Sequence, residues 1–217
     1  MRVCKTFLVL LCGLFFLWQC QPALVQVKAP LEEEGEVLLY VQPFTQDAAR
    51  LRFNIESITV RKGDGSEFPV AVRLPALRGR EMTRQRLLGT AVVPPGAYSG
   101  FAVKVKEALL TTENGEAALL LPDAPVRIEF PFHVSRKKAY VIWFVFKPAE
   151  SLRTGFSFTP VFSAVLPPRP IAGLTGYATN TGSNNITVFD KKTNQVTGAI
   201  ATRGGPAGMA LDQRGRK

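Results

Sequence analysis

The sequence predicts an all-β protein, a β-sandwich domain followed by a short set of four further strands. Three observations predict it. Apolar residues recur at every second position over short runs, the spacing that lines one face of a strand. Turn-forming clusters of Gly, Pro, Asn and Asp interrupt those runs every 8–12 residues or about that, the rhythm of a sandwich. The 16 Pro and 18 Gly are spread along all 217 residues rather than gathered in one tract. An apolar content of 46% against 20% charged residues suits a folded chain with a real core and argues against disorder over its whole length.

The first element is an export signal, residues 1–19. Arg2 and Lys5 form a short positive region, and Thr6 to Trp18 is an apolar stretch within signal-peptide range. It is short for a permanent span, which needs about 20 residues. All three cysteines, Cys4, Cys12 and Cys20, lie in the first twenty residues, so the body has no disulfide, thiolate metal site or cysteine nucleophile. Leu17-Trp18-Gln19-Cys20 ends the apolar stretch in place of a small-residue cleavage site, and Gln21-Pro22 follows. That arrangement resembles the lipobox of bacterial lipoproteins, which implies that Cys20 is lipidated and becomes the mature N-terminus. Leu17 fits that pattern; Gln19 departs from the usual small residue, and Trp18 is bulky. Several acyl chains on one cysteine would give stable anchoring where one chain is marginal. Residues 20–35 then read as the lipidated cysteine and a tether, with Pro22, Pro30 and the solvated run Glu32-Glu33-Glu34.

Residues 36–166 carry the sandwich. Glu36 to Gln42 is a short strand. Leu51, Phe53 and Ile55 alternate, and the phase then shifts by one to Ile58 and Val60, the signature of a β-bulge. Lys62 to Ser66 is a turn returning into a strand over Glu67 to Leu74, and Leu88 to Val93 is another. Pro94 to Tyr98 is a turn leading into Phe101, Val103 and Val105. Asn114-Gly115 marks a hairpin. Val126, Ile128, Phe130, Phe132 and Val134 alternate, and Ala139 to Phe146 is nearly continuous apolar, as expected of a central strand. Phe156, Phe158, Pro160 and Phe162 close the series. The aromatic residues at 130, 132, 143, 144, 146, 156, 158 and 162 are most economically core. Leu51 to Val60, the Pro94 to Tyr98 turn and the Phe156 to Val161 strand, in that order, resemble an uncharacterised β-sandwich domain of bacterial surface lipoproteins. That resemblance implies a surface location and no known catalysis.

Residues 167–173 form a proline-rich linker, and the composition then changes to Gly, Asn and Thr over 174–217. Tyr177-Ala178-Thr179-Asn180-Thr181-Gly182-Ser183-Asn184-Asn185, then Ile186 to Asp190, Thr193-Asn194-Gln195-Val196 and Gly204 to Ala210 follow in order. They closely resemble the YVTN family of β-propeller repeats. Strands are expected at 174–180, 186–190, 195–201 and 207–212, together one four-stranded blade. Propeller blades bury their faces on neighbours, and three or more repeats are usually needed. The expectation is therefore that 174–217 is the first repeat of a truncated propeller.

Chemistry-bearing residues are sparse. His133 is the only histidine and falls out of phase with its buried neighbours, which predicts a surface position. Asp64, Asp123 and Asp190 are scattered in turns, with Asp190 at the repeat's turn position, and no carboxylate spacing points to an acid–base pair or a metal site. The Gly173 and Gly204 to Gly208 stretches lack the lysine and helix of a phosphate loop. No catalytic, cofactor-binding or metal-binding residue is assigned, and no cofactor is expected. The formal charge is +10; removal of residues 1–19 takes two cations with it and leaves +8. Arg78, Arg80, Arg84 and Arg86 form a basic cluster with little aromatic interleaving, which suits anionic headgroups or surface glycans better than nucleic acid. The reading that fits best is a non-catalytic cell-envelope lipoprotein, exported and lipid-anchored, with a lean toward the outer membrane. Its partners would be the membrane and a surface protein or glycan, met through the sandwich and propeller. The alternative is an enzyme or enzyme subunit with its site in missing propeller blades; a third is a small-ligand binder built on the sandwich alone.

Overall fold

A computed structural model describes residues 28–153, 156–171 and 173–210. The expected export signal, Cys20 and residues 21–27 lie outside the described residues. Within them the chain is all-β and sandwich-like: two large sheets, a two-stranded ribbon and a three-stranded meander. The strands of the body begin with β1 (Gly35–Val41), β2 (Leu51–Lys62), β3 (Glu67–Pro69), β4 (Ala71–Val72), β5 (Ala76–Arg78) and β6 (Arg86–Val93). They continue with β7 (Gly96–Thr112), β8 (Gly115–Ala118), β9 (Val126–Val134), β10 (Ala139–Phe146), β11 (Leu152–Arg153), β12 (Ser157–Phe158) and β13 (Phe162–Val165).

The first sheet runs β13-β10-β1-β6-β4. The second is built on β2 and β7, paired antiparallel from Leu51↔Leu110 to Lys62↔Tyr98. Further strands cover both flanks: β3 and β5 pair with β2, and β8 and β9 pair with β7. β1 and β10 are parallel neighbours, so a crossover must join them; it carries every strand of the second sheet together with β4 and β6 of the first. The inward faces meet in one core that includes Phe53, Phe101, Phe144, Phe158, Leu39, Ile58 and Ile142. Its aromatic rings form an unbroken chain. Phe53 touches Phe158 at 5.1 Å and Phe146 at 5.2 Å, and Phe101 meets Phe144 edge-on at 5.1 Å. Such pairs add about 0.5–1.5 kcal/mol each beyond their buried area.

The β-bulge forms where the phase shift places it. Ile55 pairs with Val105 and Ser57 with Lys104, leaving Glu56 as the extra, exposed residue. Ile58 and Val60 thereby return to the core. In β9, Ile128 and Val134 are buried and Phe130 and Phe132 half-buried, while Arg127, Glu129, Pro131 and His133 are exposed.

Four expectations need correction. Glu67 to Leu74 is two strands: β3 pairs with β2 and β4 with β6, so the chain changes sheets at the buried Val70. The Pro94 to Tyr98 turn is shorter than expected, because Gly96, at φ +145°, already opens β7. Tyr98 is itself in the strand, and its hydroxyl donates back to the Pro94 carbonyl at 2.6 Å. Phe156 is not core; it has φ +65° and is 56% exposed, so the strand alternation fails there and resumes at Phe158. Trp143, also expected in the core with the other rings, lies on the opposite face of β10 with Leu38 and Val141.

Beyond the linker lies the meander, β14 (Thr175–Asn180), β15 (Asn185–Asp190) and β16 (Gln195–Ala201), antiparallel throughout. The strands expected at 174–180, 186–190 and 195–201 are therefore these three. Of the strand expected at 207–212, residues 207–210 have no regular structure, and 211–212 lie outside the described residues. Asp190 shapes the β15–β16 turn by accepting from the Lys192 and Thr193 amides at 2.8 and 3.0 Å. Those two amides hold its carboxyl below the usual carboxylate range.

Candidate functional site

The most elaborate polar arrangement lies where the meander meets the outer face of the first sheet. Two adjoining regions make it up, one apolar and one polar. The apolar region exists because β10 is apolar on both faces. Ile142, Phe144 and Phe146 point into the sandwich, while Val141 and Trp143 point outward with Leu38 of β1. Val196 and Ala199 of β16 pack over them, beside Tyr40, Leu87 and Ala139. Residues three apart on a regular strand face opposite ways. Here Val188 pairs with Gly198 and Phe189 with Val196, so Thr197 is an extra residue that turns Val196 and Ala199 to one side.

Side chains also close the edge of β16. The Trp143 indole N–H donates to the Val196 carbonyl at 2.8 Å, and the Val196 amide donates to Gln85 Oε1 at 2.7 Å. Gln195 Nε2 donates to Gln42 Oε1 at 2.9 Å. Both backbone groups of Val196 are thus satisfied by the sandwich, as a buried edge requires.

Beside this contact is a polar cleft of about 300 Å³ between β1, β6 and the meander. Glu36 lies in it, with its side chain only 4% exposed, and Lys28 Nζ stands 2.6 Å from its carboxylate. The Lys28 amide donates to the Gly182 carbonyl at 2.8 Å, and Asn184 Nδ2 donates to the Lys28 carbonyl. Lys28, midway along the expected tether, is therefore held to both the first sheet and the meander. Across the cleft Asn180 Nδ2 donates to Asn185 Oδ1 at 2.9 Å and to Thr187 Oγ1 at 2.8 Å. Burial pushes the Tyr40 phenol above its ordinary value, and the nearby Glu36 carboxylate adds to the shift. The titratable groups lining the cleft are Lys28, Glu36, Tyr40 and Arg73. They supply hydrogen bonds and one paired charge, the equipment of a binding surface or a locked interface.

The other sequence candidates are dispersed. Asp64 and Asp190 sit in separate turns, and Asp123 in an exposed loop. Among the described residues no three His, Cys, Asp or Glu side chains cluster in a way that could hold a metal ion. Of the arginine cluster, the structure brings Arg78 and Arg80 into one cleft with Arg50 and Arg52, and it leaves Arg84 and Arg86 outside that cleft. Sequence reasoning missed Arg50 and Arg52, because they lie 26 residues or more from their neighbours in the cleft and only the β2–β5 pairing joins them. No helix among the described residues is long and apolar enough to cross a membrane. No family model, curated protein or solved structure matches the chain.

Proposed function

We propose that this chain is a non-catalytic cell-envelope lipoprotein, anchored through lipid on Cys20, whose sandwich supports a propeller-type segment for binding or scaffolding at the cell surface. The observation that carries the reading is the docking of the meander. Three short antiparallel strands, at the places of three of the four strands expected there, lie on the sandwich through Trp143, Val196 and Ala199. A sheet that receives another sheet on its outer face is built to present it. The hold on Lys28 supports the same reading, because it fixes part of the expected tether beside that junction.

The experiment is expression of the full chain in a bacterial host with a clickable palmitate analogue, comparing wild type with Cys20→Ser. The wild type should take up label and lose residues 1–19, and Cys20→Ser should do neither. An unlabelled wild type, or a Cys20→Ser variant that takes up label to the same extent, would overturn the anchoring.

A further inference from the structure

We infer that the arginine-lined cleft at the far end of the second sheet is a binding site for oxyanion groups, carboxylate or phosphate, carried by a ligand. The cleft has a volume of about 360 Å³ and is lined by Arg50, Arg52, Arg78 and Arg80 with Glu81 and Glu116. Two features set it apart from a generally basic surface.

The first is a cross-strand pair of like charge. Arg52 of β2 stands directly opposite Arg78 of β5. Like charges in that position are destabilising, so a fold under no other demand would avoid them. Each is only partly relieved: Arg52 Nη2 donates to Glu116 at 2.7 Å, and Arg78 Nη1 to Glu81 at 3.0 Å. Arg52 Nε is buried without a hydrogen-bond partner among the described residues. Arg50 and Arg80 make no ion pair among the described residues, so four guanidiniums face two carboxylates.

The second is that the concavity is set by backbone. The Gly79 amide donates to the Leu51 carbonyl at 2.8 Å, and a Cβ on Gly79 would fall 1.7 Å from the Ala48 carbonyl oxygen. Only glycine lets the Arg78–Glu81 turn press against residues 46–49, and that approach brings Arg78 and Arg80 round to Arg50 and Arg52. Guanidinium forks match the geometry of carboxylate and phosphate oxygens, and convergence of several of them is the ordinary way such groups are recognised. An anion there would offset the Arg52–Arg78 repulsion and give Arg52 Nε an acceptor.

The test is calorimetric titration of the purified chain with citrate and with inorganic phosphate at low ionic strength, with flotation on phosphatidylglycerol vesicles as a further arm. Wild type, Arg50→Gln/Arg80→Gln and Lys106→Gln/Arg127→Gln are compared. The last removes the same net charge from exposed positions outside the cleft, and thermal melts check that all three are folded. Saturable binding at or below about 10 mM is expected, weakened at least about tenfold by Arg50→Gln/Arg80→Gln and little changed by the control. Binding of the free anions alone would identify a soluble ligand; flotation that favours phosphatidylglycerol over phosphatidylcholine vesicles and loses that preference in Arg50→Gln/Arg80→Gln would identify a lipid headgroup. No saturable binding in any arm, or equal loss in both double variants, would overturn the inference.

Discussion

Trp143→Ala tests whether the meander is held by the sandwich or only rests near it. Trp143 is 9% exposed and lies between Leu38 and Val141 on one side and Val196 and Ala199 on the other. A buried tryptophan hides about 200 Å², and at about 25 cal/mol/Å² that area is an upper bound of about 5 kcal/mol. Alanine keeps a small part of it, which leaves a loss of about 3–5 kcal/mol, the usual range for Trp→Ala at a packed site. The lost indole donor to Val196 is included in that range. For a chain of this size the melting temperature should fall by roughly 10 °C. Trp143→Phe, which keeps a ring but leaves the Val196 carbonyl without its donor, should cost only about 1–2 kcal/mol. Urea melts measure these losses, and hydrogen exchange locates them. In Trp143→Ala the amides of β14 to β16 should become the first to exchange, through local opening, while those of β2 and β7 lose protection only in step with the global stability. If the meander's amides exchanged as in wild type and the melting temperature moved by under about 1 °C, the docking argument would fail.

Two further outcomes follow from the body of the sandwich. Glu56 is the inserted residue of the β2 bulge, and its ion pair with Lys104 at 3.1 Å is exposed. Glu56→Ala should therefore change urea stability by no more than about 0.5 kcal/mol. Deleting Glu56 turns Ile58 and Val60 outward and should cost more than about 3 kcal/mol or prevent folding; a mild deletion would show that the bulge does not set the register. The Tyr40 phenol, raised in the fold by burial and then by Glu36, has its ordinary value at about 10. Its folded-state value lies above the unfolded one, so the stability it brings is whole below about pH 10 and is lost as pH rises through the raised value. Tyr40→Phe should reduce the alkaline fall in stability measured by urea melts, leaving the part due to Tyr98, which burial raises in the same way. An unchanged alkaline profile would remove Tyr40 from that account.

What was legible in the sequence was whatever leaves a local trace. The bulge could be read because one residue of phase slip between Ile55 and Ile58 is visible within a single strand. The alternation of β9 could be read for the same reason, and it put His133 outside. Phe156 shows how far such a trace can mislead. Its spacing to Phe158 continues a strand pattern, but its positive φ breaks the strand before the pattern ends. The change of sheets at Val70 left no mark, since both halves of Glu67 to Leu74 are extended. The polar cleft could not be read at all, and of the arginine cleft only Arg78 and Arg80 could. Arg52 and Arg78 meet only through strand pairing, and Lys28, Glu36 and Asn180 come from both ends of the described chain.

The continuous apolar run of β10 carries one consequence for how the chain is divided. A strand facing a core on one side and water on the other alternates; this one does not, because Val141 and Trp143 need cover as much as Ile142 and Phe144 do. With Leu38, Tyr40 and Leu87 they form one apolar face on the outside of the first sheet, and β16 is what lies on it. A sandwich cut at residue 166 would expose that face to water, a liability for a soluble domain. The proline-rich segment therefore links two parts that complete each other's burial. The meander in turn gains from β10 and β1 an apolar surface on which Val196 and Ala199 are packed. Trp143 can serve both parts because its ring covers apolar area while its N–H reaches the Val196 carbonyl at the edge of β16.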